Sequence, residues 1–141
     1  MNILFVCWAN VSRSQMAAAY YNKLTGTNNA KSAGTEVDVP GETLQERYER
    51  IGRPTNTIDV MKGVGIDAGG FRRTQLTESM LDKYDLVISM TQKEYTPTWL
   101  SANPKYRFWN VEDPGGRGYE STKSAFNEIR PMVQELIEEI D

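Results

Sequence analysis

The sequence predicts an α/β domain in three layers, a central four-stranded parallel sheet with helices on both faces. Three observations predict it. Short apolar runs alternate with segments whose apolar residues recur at three- and four-residue steps, the signature of strands alternating with helices. The first run, Ile3 to Val6, is apolar throughout, as expected of a strand covered on both sides. The chain has 141 residues, within the usual domain size of about 100–150, so residues 1–141 are expected to form one domain.

After the Ile3 to Val6 strand and Cys7, Met16, Ala17, Tyr20, Tyr21 and Leu24 share one face of a predicted helix that Gly26 can stop. A second strand is expected over Ala30 to Ala33, with Gly34 turning the chain out. Pro40-Gly41 and Gly52-Arg53-Pro54 bracket a charged excursion, about 36–54, in which Leu44, Tyr48 and Ile51 fall at helical spacing. Trimming it to a short turn should leave the core folded. Ile58, Met61 and Val64 suggest another helix, and Leu76 to Leu81 a further one. Leu86 to Met90 reads as a buried strand and Phe108 to Val111 as the last one. From Ser121 to Ile140 a closing amphipathic helix is expected, kinked or restarted at Pro131 at a cost of about 3 kcal/mol.

Composition removes several chemistries. With 16 basic and 19 acidic residues the net charge is −3, so there is no basic field to gather nucleic acid. The chain has no histidine, which excludes Ser-His-Asp and Cys-His catalysis and every His-ligated metal site. Its one cysteine, Cys7, excludes an internal disulfide and C-x-x-C motifs. No apolar stretch approaches the ~20 residues of a membrane span, and the N-terminus lacks the pattern of a signal peptide. The expected setting is the reducing cytoplasm, with no metal, cofactor, membrane or nucleic acid involved.

The chemistry concentrates where the first strand meets the first helix. In parallel sheets, anions bind at the carboxyl ends of strands, beside helix N-termini with free amides. Cys7-Trp8-Ala9-Asn10-Val11-Ser12-Arg13-Ser14 occupies such a place. A thiol there is stabilised as the nucleophilic thiolate by the helix N-terminus and the arginine. Arg13 offers a planar fork for two phosphate oxygens while the amides of residues 8–14 take the rest. Asn10 tolerates the left-handed backbone that an inward-turned loop needs. A lone cysteine after a strand is otherwise a small buried hydrophobe, but an arginine six residues on, followed by Ser14, favours chemistry. Phosphoester cleavage also needs a proton donor, and without histidine a carboxylic acid is the natural choice. Asp113-Pro114 follows the last predicted strand and so lies at the same rim as Cys7, although Asp-Pro also merely starts turns.

These residues resemble the low molecular weight protein tyrosine phosphatases and the arsenate reductases that share their fold. The family loop Val-Cys-x-Gly-Asn-Ile-Cys-Arg-Ser is matched by Val6 to Ser14, Ser-Ala-Gly-Thr by Ser32 to Thr35, the strand ending in Met by Leu86 to Met90, and the late Asp-Pro by Asp113-Pro114. The resemblance implies that Cys7 attacks phosphorus to form a cysteinyl-phosphate and that Arg13 binds the transferred group. Asp113 would protonate the leaving phenol and then activate water. Asn10, Ser14 and Ser32 would hold the loop, with Ser14 helping the thiolate leave. The implied substrate is a phosphotyrosine protein or a small aryl phosphate.

The chain also departs from the family. Ala9 replaces a glycine, Ser12 a second cysteine and Gln15 a common proline. Phe71 stands where a histidine often supports the loop, and the 36–54 segment is longer than the family pattern. Two further motifs are set aside. Gly63-Val64-Gly65-Ile66-Asp67-Ala68 fits a dinucleotide fingerprint by letter but closes a helix rather than following a strand. Arg47, Arg50 and Arg53 suggest a phosphopeptide-binding face, yet interleaving with Glu46 and Glu49 favours a solvated helix face. The rivals to a phosphatase are an arsenate reductase served by an external low-molecular-weight thiol and a noncatalytic phosphate-binding module.

Overall fold

Strand β1, Ile3–Cys7, is buried along its whole length, and the alternation of a strand explains why. Ile3 and Phe5 enter one apolar cluster with α1 (Arg13–Thr25), α2 (Leu44–Ile51), α3 (Asn56–Lys62) and α5 (Tyr119–Ile140). Leu4 and Val6 enter a second cluster on the opposite face, closed by Leu76, Leu81 and Leu100. The computed structural model describes residues 1–140. The other strands are β2 (Ala30–Gly34), β3 (Leu86–Ser89) and β4 (Tyr106–Phe108), and Thr98–Ser101 forms a short helix, α4. The four strands are all parallel in the order β2-β1-β3-β4, so the expected three-layer architecture is the observed one. Among the described residues no helix is long and apolar enough to cross a membrane.

The strand order puts the loop after β1 at a switch point. From β1 the chain crosses to β2 on one side, and β3 then pairs with β1 on the other. The carboxyl ends of β1 and β3 therefore border the crevice that parallel sheets offer to ligands. Val6 pairs with Ser89, and Cys7 with Gly34. Gly34 has to be glycine: an added Cβ would stand 2.7 Å from the carbonyl of Trp8 and 2.8 Å from the amide of Asn10.

Several local expectations are corrected. Leu24 lies outside the buried face of α1 and is exposed. The Leu76 to Leu81 segment supplies only a 3-10 helix, Glu78–Lys83. The last strand is Tyr106–Phe108, two residues earlier than its apolar run suggested. Trp109 still donates to the carbonyl of Ser89, where β3 ends, and Val111 then bonds back to Trp109 in a turn. Trp109 and Val111 are core residues on irregular backbone, which periodicity does not separate from strand.

Pro131 does not divide the closing helix, which runs unbroken over Tyr119–Ile140. Pro131 and Asn127, whose carbonyl loses its helical donor, are both exposed, so water can serve that carbonyl. The 36–54 segment is likewise no removable excursion. Thr43 caps α2 in a reciprocal capping box with Glu46. Leu44 and Tyr48 are buried in the main core, each contributing about 1.5–3 kcal/mol by burial. Trimming the segment would open that core rather than spare it.

Candidate active site

The loop between β1 and α1 turns its amides inward because Asn10 takes a left-handed backbone, φ 56°. Ser12 precedes the helix but does not cap it with its side chain. Its hydroxyl pairs instead with Thr57 Oγ1 at 2.9 Å. None of the backbone N–H groups from Trp8 to Ser14 donates to a protein acceptor among the described residues. Successive free amides at the start of a 13-residue helix are the geometry that favours an anion.

Arg13 is almost wholly buried and aimed by the ends of the sheet. Its Nη1 donates to the carbonyls of Met90, just beyond β3, and of Val111, 2.9 Å away. That leaves the Nε and Nη2 edge of the fork for a ligand. Asp113 Oδ2 lies 3.7 Å from Arg13 Nη2. Its Oδ1 accepts from the Gly115 amide at 2.9 Å, which fixes the carboxyl on the turn.

The sulfur of Cys7 is 2.9 Å from Ser14 Oγ. Asn10 is fully buried and uses its whole amide. Its Nδ2 donates to Ser14 Oγ at 2.7 Å and to Ser32 Oγ at 3.0 Å. Its Oδ1 accepts from the Thr74 amide at 2.8 Å and from Gln15 Nε2 at 3.2 Å. Asn10, Ser14 and Ser32 thus form one polar layer behind the loop. Cys7, Trp8, Ala9, Val11, Ser12, Arg13 and Asp113 line a single cavity of about 590 Å³ in front of it. Trp8 is exposed and, like Pro54 and Pro114, lines this cavity.

Other supports carry no motif in the sequence. Phe71 packs against the core in place of a polar support, and the polar work passes to its neighbours. Gln15 ties Asn10 to the carbonyl of Arg72. Arg73, fully buried, donates to the carbonyl of Ala9 and pairs with Glu42 Oε1 at 2.6 Å and Asp38 Oδ1 at 2.7 Å. Tyr48 hydrogen-bonds Thr57, the partner of Ser12. Sequence signals for these were Tyr48 at helical spacing and the family departures at Gln15 and Phe71; Arg73 carried none. The three arginines of the 36–54 segment divide: Arg50 is a solvated residue paired with Asp38 and Glu42, whereas Arg47 and Arg53 line the cavity.

A β-loop-α turn that brings one cysteine, one buried arginine and an aspartate to a single cavity marks a class of α/β domains with a cysteine at the carboxyl edge of a parallel sheet. The chain belongs to the low molecular weight phosphotyrosine protein phosphatase family, whose sequence model matches residues 2–141. It is 29% identical to a low molecular weight protein tyrosine phosphatase from T. tengcongensis, with 99% of each chain covered and a TM-score of 0.78. It is also 30% identical over 141 residues to a glutaredoxin arsenate reductase from Synechocystis sp., covering 98% of this chain and 97% of the relative. An arsenate reductase in its phosphate-binding state superposes with a TM-score of 0.75 at 26% identity, with 100% of both chains covered.

Proposed function

We propose that the chain is a cysteine-dependent phosphatase, hydrolysing phosphotyrosine or other aryl phosphate monoesters. The observation that carries this reading is the Asp113 carboxyl on the same cavity as Cys7 and Arg13. A leaving phenol needs an acid, whereas a module that only binds phosphate does not. Phosphate oxygens would occupy the amides of residues 8–14 and the free edge of Arg13. Cys7 Sγ attacks phosphorus, the P–O bond to the ring breaks, and Asp113 gives its proton to the departing oxygen. Asp113 then takes a proton from water, whose oxygen attacks the cysteinyl-phosphate and releases phosphate and thiolate. The Ser14 hydroxyl, with Asn10 already donating to its oxygen, has its proton for the sulfur and steadies the thiolate in both steps.

A second reading, arsenate reductase, is favoured by the names of the curated relatives. The same cradle fits arsenate. Reducing As(V) to As(III) takes two electrons, and Cys7 is the only thiol of the chain, so an external low-molecular-weight thiol has to supply the second sulfur. The deciding experiment is hydrolysis of an aryl phosphate by the wild type, Cys7→Ser and Asp113→Asn, beside thiol-dependent arsenate reduction. Hydrolysis abolished in Cys7→Ser and depressed in Asp113→Asn supports the phosphatase. Arsenate reduction without ester hydrolysis replaces it with the second reading.

A further inference from the structure

Arg47 and Arg53 reach the Cys7 cavity from α2 and from the turn behind it. Among the described residues neither side chain has an ion pair or a hydrogen bond. The contrast with their neighbours is sharp, since Arg50 and Arg73 are saturated by Asp38 and Glu42. Arg47 Nε is moreover buried without any partner, a costly state for a charged donor. Burial first, and the nearby charge of Arg73 second, weaken the hold of Arg47 on its proton. A bound anion would relieve both.

Arg53 lines the same cavity from an exposed position. Its Nη1 lies 3.5 Å from where a Cβ on Gly116 would stand, which places the guanidinium against the turn after Asp113. Among the cavity-lining residues Asp113 is the only carboxylate, and it already faces Arg13. Besides Arg13, the cavity is thus lined by two arginines that have no ion-pair partner among the described residues.

We propose that Arg47 and Arg53 form a second anion subsite at the cavity mouth, for a substrate that carries a carboxylate or further phosphate beside its scissile phosphoryl group. The proposal rests on the phosphatase reading and specifies its substrate class. The second charge has two possible sources, an acidic side chain flanking phosphotyrosine in a peptide or an anionic substituent on a small aryl phosphate.

The test separates binding from turnover. In the Cys7→Ser chain, affinity is measured by calorimetry for phosphotyrosine peptides flanked by Glu or by Gln. Affinity is also measured for aryl phosphates with and without a carboxymethyl group. The Glu peptide or the carboxymethyl-substituted aryl phosphate should bind about tenfold tighter than its neutral match, an advantage that shrinks with added salt. Whichever pair shows it identifies the source. Arg47→Gln and Arg53→Gln should each cut the ratio, the double variant should bring it to about one, and Arg47→Lys should keep part of it. Equal binding of the matched pairs, a ratio surviving in the double variant, or no saturable binding by any probe overturns the subsite. Wild-type protein that shows the binding preference but hydrolyses none of the substrates overturns the phosphatase reading and leaves the subsite standing.

Discussion

Arg73 grips the carbonyl of Ala9 with two N–H groups, Nε at 3.2 Å and Nη2 at 2.9 Å. The loop between β1 and α1 is thereby fastened from outside the β1–α1 unit, by a buried charge whose counter-ions, Asp38 and Glu42, come from the 36–54 segment. Arg50 completes the network at the surface.

Removing the buried cation should therefore act on loop and segment together. Arg73→Met is expected to cost about 3 kcal/mol, because one partner of a buried pair is lost while Arg50 still partly compensates the carboxylates. Urea unfolding measures it. Arg73→Lys keeps the charge but not the fork and should fall in between. A loss below about 0.5 kcal/mol, the range of ordinary surface changes, would show that the network holds nothing.

The same network sets an acid limit. The Arg73 hydrogen bond, with help from Arg50 and against the opposing effect of burial, holds the Asp38 carboxyl at about 2 instead of 3.8. Glu42 is lowered too, by Arg50 first. The folded chain thus binds these protons less tightly than the unfolded chain, so the stabilisation is whole above the ordinary carboxylate range and drains away as pH falls from about 4 to about 2. Melting temperature followed down through that window should drop less steeply in Glu42→Gln than in wild type. Asp38 is well exposed, so added salt should soften the wild-type slope.

Asp113→Asn should slow hydrolysis according to how much the leaving oxygen needs a proton. The expected loss is about 10² to 10⁴ for poor leaving groups and less for activated aryl phosphates. Rates across a series of leaving-group acidities read this directly, and a uniform loss would reduce Asp113 to a turn residue held by the Gly115 amide.

Oxidation should be repairable only early. Peroxide converts a cysteine thiolate to sulfenic acid, which a nearby thiol can trap before sulfinic acid forms. Cys7 is the only cysteine, and the Ser12 position, where the family often carries a second thiol, holds a hydroxyl bonded to Thr57. Timed peroxide exposure followed by dithiothreitol, with intact mass of each sample, should show recovery that fades with time. Phosphate bound in the loop should slow the inactivation. Full late recovery of a monomer without a mixed disulfide would contradict this account.

The sequence by itself determined whatever depends on local chemistry or on a repeating period. The apolar run Ile3 to Val6 could only be a strand covered on both faces, and Gly26 ends α1 in the left-handed conformation expected of it. Cys7, Arg13 and Ser14 stand six and one residues apart on a strand-loop-helix turn, so their convergence is a consequence of backbone geometry. Asn10 takes the left-handed backbone that its short amide tolerates, as its residue type implied. Only the tertiary structure decided which charged residues are buried and what faces them. Arg47, Arg50, Arg53 and Arg73 look alike in the sequence, yet one pins the loop, one is neutralised at the surface and two stand unpaired over the cavity. Nothing local distinguishes them, because the energy of a buried guanidinium depends on its partners, and Arg73 meets a carboxylate 31 residues away in the chain.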